Sequence, residues 1–494
     1  MTAAVTLTAS ALATVSPTPA LAAVRPALVA AGDPFAGCAA DAGGGDTFAA
    51  GSQAEPWIAV DPADERHWVV AWQQDRWGYG SARGAVTAVT RDGGRTWRRV
   101  VLPVTLCAGG RYGRITNVWL AFAPGGRLYA TLVAAGVSPL STGIAVLTSA
   151  DGGDTWSGPT QIVSDPMSDY FNDKPALTVD PSDPRRVYLV WNRRHQADDR
   201  HSLLYSRSTD AGRTWEPARS IYQPSQGRGT IGNQIVVLPD GTLLNVFHEA
   251  PFAIGGASAA PSGVAGAAPA AATGDQIQVI RSADHGATWS APTTIAEPRL
   301  ATPVLPGTTT PIVGGSIVPD VTVDRRGRVY VVWADGSLSG SGSAIALTVS
   351  ADGGHSWTRP VKINHTPDSA AGGTGQAFLP QVDAAPDGSL AVGYYDLRDD
   401  TTDPAVAADH WIARCHGDRC AAGAAGWQER RTGGPFDLGT AIRWFDGPFL
   451  GTYTGLAHTR HRFVAAFVMT GGAAGDPQDV YVTSVPFCSA RSCA

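Results

Sequence analysis

Five times along this 494-residue chain the pattern Ser/Thr-x-Asp-x-Gly-x-Thr/Ser-Trp recurs. The copies run Thr90 to Trp97, Ser149 to Trp156, Ser208 to Trp215, Ser282 to Trp289 and Ser350 to Trp357, at intervals of roughly 60 to 75 residues. Self-similarity at a fixed spacing argues for one repetitive architecture rather than a string of unrelated domains. Around each copy the order is the same: an apolar strand, a tight turn, a second apolar strand with a polar end, a third strand, the pattern, and a fourth strand. The first turns read Asp61-Pro62, Pro124-Gly125-Gly126, Asp180-Pro181, Pro239-Asp240-Gly241, Arg326-Gly327 and Pro386-Asp387-Gly388. Gly (58) and Pro (35) make up nearly one residue in five, which excludes helical bundles and coiled coils.

Four strands per unit is the unit of an all-β propeller, here of seven blades, with six as the alternative count. Trp427 marks a sixth unit that lacks the aspartate, and three further strands follow it. Residues 23–51 are expected to add a strand that closes the ring, and 52–487 to form the single propeller. The Gly/Ala/Ser/Pro stretch from Gly255 to Gly274 reads as a disordered loop between strands. In the repeated pattern, the short Asp side chain accepts hydrogen bonds from its own turn, Gly permits positive φ, and Trp offers an apolar face to a neighbouring unit. That chemistry is structural, not catalytic.

Residues 1–22 carry no charge and end in Ala20-Leu21-Ala22, so they are expected to be a secretory signal peptide, although the first cation is only Arg25. A disordered Ala-rich terminus is the other reading. Six cysteines form an even set, which in an exported chain favours disulfides; the most economical pairing is Cys38–Cys107, Cys415–Cys420 and Cys488–Cys493, the last in a tail at 488–494. Net charge is −6 with scattered basic residues, so a nucleic-acid partner is excluded, and no later apolar run is long enough for a membrane span. A secreted protein is the expectation.

The five patterns identify the chain as resembling the Asp-box (BNR) repeats of the sialidase superfamily across residues 52–487. Segments such as EPWIAVDP, WQQDRW, NDKPALTVDP, IGNQIVVLPDGTL and GPFDL are similar to secreted bacterial exo-α-sialidase-like proteins. The resemblance implies a propeller with a central site, three arginines on a substrate carboxylate, a Tyr nucleophile paired with a Glu, and an Asp acid/base. Where the first of those arginines belongs, this chain reads Ala54-Glu55-Pro56-Trp57, and residues 78–85 hold no acid. The arginine triad is therefore not intact. The implied function is a secreted sialidase-like glycoside hydrolase, a monomer acting on an extracellular glycan or glycoconjugate; a glycan- or protein-binding propeller and a propeller polysaccharide lyase are the alternatives.

First-strand starts and second-strand ends share one mouth of such a ring. They gather Glu55, Asp75, Arg76, Lys174, Arg193, Arg398 and Tyr453 as candidate substrate contacts, and Tyr395, Glu249 and Asp396 as candidate nucleophile, activating acid and acid/base. Asp75-Arg76 and Asp396-x-Arg398 also read as neutralising ion pairs. Tyr394 and Tyr395 point to opposite faces, so at least one belongs to the core. His248 beside Glu249 reads as structural. No cofactor is expected; Asp173, Asp320 and Asp335 suit Ca²⁺ by ligand type, but no compact loop with regular acidic spacing supports a site.

Overall fold

The computed structural model describes residues 25–29, 31–39, 48–137, 140–251, 274–299, 301–315, 318–340, 342–368, 374–400, 405–472 and 475–487. The expected signal peptide, most of the Gly/Ala loop and the tail with Cys488 and Cys493 lie outside them. Among the described residues there are strands and short 3₁₀ turns only, and no helix is long and apolar enough to cross a membrane.

Among the described residues most strands fall into antiparallel runs of four, numbered here as units one to seven in chain order: 48–101 and 114–166 are joined in one eight-stranded sheet, 170–222 and 228–296 in a second, and 320–362, 377–437 and 455–486 each belong to a four-stranded sheet. The seventh takes its fourth strand from the other end of the chain: Ala27–Leu28 pairs with Gln478–Pro486 through Ala27 opposite Val482 and Leu28 opposite Tyr481. First strands of successive units touch in chain order, and that of the seventh, Gly455–His458, touches that of the first, Phe48–Val60. Second strands such as Trp68–Trp77 and Ser389–Asp396 are buried along their whole length, because both faces are covered by neighbouring units. Leu128, Ala130 and Leu132 of the second unit pack on Val69 and Ala71 of the first.

All five aspartate turns link the third strand of a unit to the fourth, and they are built alike. In the third unit Asp210 Oδ1 accepts from Thr214 N (2.9 Å) and Ser208 Oγ (2.8 Å), while Oδ2 accepts from Thr214 Oγ1 (2.6 Å). The Ser208 hydroxyl also accepts from Gly212 N, which has φ of 77°. The Thr214 bonds, with that of Ser208, pull the Asp210 carboxyl down to about 2. Both acid oxygens of each turn are occupied by the turn itself. The Trp that ends each pattern lies half-buried between units, as Trp156 does on the cluster shared by units one and two. In the sixth unit, where the aspartate is missing, Cys415–Cys420 spans the same connection and the Trp427 indole donates to the Cys420 carbonyl at 3.0 Å. Cys38–Cys107 ties the N-terminal segment to the connection between units one and two.

Asp320, buried at the start of the fifth unit's first strand, accepts from Val382 N of the sixth at 2.6 Å. Burial pushes its carboxyl up to about 7. A folded-state value above the unfolded one means the contribution to stability is fully present below the unfolded value and is lost as pH rises through about 7. Between pH 5 and 8 this one group should remove roughly 2–3 kcal/mol of stability. Asp320→Asn keeps the acceptor for Val382 and should flatten that slope in urea titrations at the two pH values. An undiminished slope in the variant would show that Asp320 is not its source.

Candidate functional site

Five first strands share a distortion that re-aims their side chains. Pairing to the second strand slips between Ala54 and Trp57, Thr116 and Trp119, Asp173 and Ala176, Ile231 and Gln234, and Phe378 and Gln381. Inside each slip sits one residue in the left-handed region: Glu55 (φ 50°), Asn117 (54°), Lys174 (52°), Gly232 (68°) and Leu379 (54°). Only Gly takes this conformation freely and Asn tolerates it; for Glu, Lys and Leu it costs about 1–2 kcal/mol each. Such bulges break the in/out alternation of a strand and turn a side chain that would otherwise lie between sheets.

Three of these residues, Glu55, Asn117 and Lys174, line one cavity of about 530 Å³ at the starts of the first strands of units one to three. Arg76, Arg114, Asp173 and Phe171 complete its walls, and Trp444 enters from the hairpin of Arg443–Trp444 and Gly447–Pro448 between units six and seven. Tyr79 and Leu140 stand at the rim, 65% and 59% exposed. The Tyr79 ring meets Phe445 edge-on at 5.4 Å.

Glu55 is buried and fully engaged. Oε2 accepts from Asn117 Nδ2 (2.9 Å) and from the Gln73 amide; Oε1 accepts from Thr452 N (3.1 Å) and Oγ1 (2.5 Å), with Lys174 Nζ at 3.7 Å. Burial by itself would raise its pKa, but Lys174, then Arg76, then the Thr452 bonds outweigh it and hold the carboxyl below its ordinary range. Asp173 is different. Its Oδ1 accepts from Lys174 N at 2.9 Å, and among the described residues no side chain bonds it. Burial raises its pKa, Lys174 opposes and Glu55 adds to the rise, so Asp173 keeps its proton to higher pH than an ordinary carboxyl. One cavity thus holds a carboxylate fixed as the anion and a second carboxyl biased toward the acid. The cations beside them are held by aromatic rings: the Arg76 guanidinium lies 4.2 Å from the Phe449 centroid, and that of Arg114 4.0 Å from Trp77.

Of the residues singled out from sequence, Glu55, Arg76 and Lys174 come together here, with Asp173, which had been named only for its ligand type. Tyr453 is buried and does not line the cavity, its hydroxyl donating to the Val118 carbonyl at 3.1 Å and its ring edge-on to Trp57 and Trp119. Asp75 turns away from Arg76, at φ 62°, to accept from Gly51 N (2.9 Å) and Arg83 Nη1 (3.4 Å); the expected Asp75-Arg76 pair is replaced by Asp75–Arg83. Arg193 faces Asp165 at 3.7 Å and covers the Tyr170 ring.

Tyr395, Glu249 and Asp396 are not brought together. Tyr395 is buried in unit six, with its hydroxyl donating to Val468 O (2.9 Å) and accepting from Val468 N (2.8 Å) of unit seven. Glu249 is in unit four, bonded by Tyr222 (2.7 Å), Gln278 (2.9 Å) and Arg228. Asp396 pairs with Arg398, which also reaches Glu429 and, at 2.9 Å, the Tyr394 hydroxyl. Asp396-x-Arg398 is therefore the neutralising pair, inside a closed polar cluster. His248 is buried against Asp275 at 2.8 Å.

The acid role of Asp173 and the wall positions of Tyr79, Arg114 and Trp444 were not anticipated. A signal for the bulges was present. Pro56, Pro175 and Pro380 follow the left-handed residues directly, and proline inside an otherwise central strand marks a bulge.

No family model matches the chain, and no curated protein does. Among solved structures it is similar to a protein of unknown function from Dyadobacter fermentans, with 15% identity over 71% of this chain and 91% of that one and a TM-score of 0.46. It is also similar to an α-L-arabinanase of Penicillium chrysogenum solved with arabinobiose (12% identity, 93% and 97% coverage, TM-score 0.48). A mutant of the NanB sialidase of Streptococcus pneumoniae is a third (9% identity, 89% and 94% coverage, TM-score 0.44).

Proposed function

We propose that the chain is a secreted, seven-bladed, sialidase-like propeller that hydrolyses glycosidic bonds in extracellular glycans. The observation that carries the reading is the pair of carboxyl groups in one cavity, Glu55 held anionic and Asp173 biased toward the acid. Two acids whose environments push their pKa values apart are the equipment of glycoside hydrolysis. In this reading Asp173 gives its proton to the leaving oxygen as the glycosidic bond breaks, and a water then adds to the anomeric carbon and returns a proton to Asp173. Glu55, with its acceptor capacity already taken up by four donors, acts as a fixed negative charge beside the cationic sugar of the transition state. Arg76, Arg114 and Lys174 suit an anionic substituent on that sugar, two guanidiniums and an ammonium in place of three guanidiniums. The two described disulfides support the secreted reading.

A panel of aryl glycosides, including a sialoside and an arabinofuranoside, tests it by fluorophore release. No turnover on any member would reject the hydrolase. The saturation of Glu55 favours a second reading, a glycan-binding propeller without turnover, which glycan-array binding in the absence of hydrolysis would establish. Tyr79 is placed to stack on a sugar at the rim. Tyr79→Ala should raise KM for an oligosaccharide several-fold, about 1 kcal/mol of stacking, with little change in kcat. An unaltered KM would remove Tyr79 from the binding surface.

A further inference from the structure

The first strands also end around a cavity, at the opposite side of the units from Glu55 and Asp173. It measures about 610 Å³ and is walled by apolar side chains such as Phe122 and Leu456 and by the turns that follow the strands. Three nitrogen-bearing side chains converge on it from two units: Arg325 from the fifth, His458 and Arg460 from the seventh.

The acids around this cavity are already engaged. Asp61 Oδ1 accepts from Ala63 N (2.8 Å) and Oδ2 faces His67 Nδ1 (3.1 Å). Asp383 Oδ2 holds His458 Nδ1 at 2.7 Å, and Glu65 Oε2 accepts from the backbone N of Arg460 at 3.3 Å. Burial would lower the His458 pKa, but Asp383 outweighs it, so the ring keeps its second proton to higher pH than an ordinary imidazole. Arg325 and Arg460 are exposed at the mouth, and among the described residues no carboxylate lies within ion-pair distance of either guanidinium. Donors are therefore left over where acceptors are committed.

We propose that this second cavity binds a small molecule bearing an oxyanion, a carboxylate, sulfate or phosphate, its charge taken by Arg325 and Arg460 and one oxygen by the Nε2 edge of His458. Guanidinium forks match the geometry of all three groups. The apolar wall receives the body that carries the anion.

Titration calorimetry on the full chain with glucuronate, sulfate and phosphate tests this, with glucose as the neutral control. Saturable binding of at least one anion and none of glucose is expected, and the anion that binds identifies the source of the charge. Arg325→Gln and Arg460→Gln should each weaken it about tenfold. Both side chains are exposed, so unfolding transitions should match wild type, and turnover at the first cavity should be unchanged. Arg76→Gln should leave this binding intact. The proposal fails if no anion saturates at concentrations in the tens of millimolar. It fails equally if binding survives the Arg325→Gln, Arg460→Gln double variant, or is lost with Arg76→Gln, which would put the anion in the first cavity.

Discussion

Asp173→Asn is expected to slow turnover of any accepted glycoside by about 10²–10⁴-fold while leaving the unfolding transition close to that of wild type. The amide is nearly isosteric and still accepts the backbone hydrogen bond of Lys174, so the bulge has no reason to rearrange. What it cannot do is deliver a proton. The wild-type kcat/KM should fall on the alkaline side as Asp173 ionises, at a pH above the usual carboxyl range, because burial and Glu55 oppose its charge. In the variant that limb should be absent. A variant with ordinary kcat and an unchanged pH profile would remove Asp173 from the chemistry.

The second large effect is on stability. Glu55→Ala would leave the Lys174 ammonium buried without its anion and would strip Asn117, Gln73 and Thr452 of their common acceptor. Removing one partner of a buried ion pair costs about 3–5 kcal/mol, far more than the pair contributes net. Chemical denaturation at pH 7 should show that loss, with a smaller one for Glu55→Gln. The pH dependence has the opposite sign to that of Asp320. The folded-state pKa of Glu55 lies below its unfolded value, so its contribution is present above the unfolded value and disappears as pH falls through the folded one. A loss under 1 kcal/mol would mean that water replaces the carboxylate.

The two substitutions fall on bulges whose one sequence signal, the proline after Glu55 and after Lys174, went unread, whereas the units around them were readable. Turn residues, apolar runs and the aspartate pattern each act within a few residues, and the reading of four strands per unit rested on them. The turn chemistry of Asp210 and its equivalents needs nothing beyond eight consecutive positions. Side-chain direction is another matter. A period of two assigns faces only while the strand stays in register, and one extra residue inverts everything beyond it. The mouth list therefore included Glu55 and Lys174 but set them beside Tyr453, which is buried outside the cavity lining with its hydroxyl on the Val118 carbonyl. Tyr394 and Tyr395 show the other gap. Alternation puts them on opposite faces, yet both faces of that strand are covered, so both are core, with hydroxyls bound to Glu429 and to the Val468 backbone. Which units cover a strand is a property of the whole arrangement and has no local signature.

The pairing of the two-residue strand Ala27–Leu28 with Gln478–Pro486 has a direction in time. Ala27–Leu28 is synthesised before every other described strand, and its partner Gln478–Pro486 after every other. Until the last unit has emerged from the ribosome, the first-made segment has nowhere to pair. Such distant contacts are slow to form, because a long loop must close before they repay the entropy. The free margin of Gln478–Pro486 is meanwhile a template for a strand of another molecule. The Cys38–Cys107 link keeps the early segment beside units one and two during that wait, so a reducing environment would favour chains that finish one another's last sheet instead of their own.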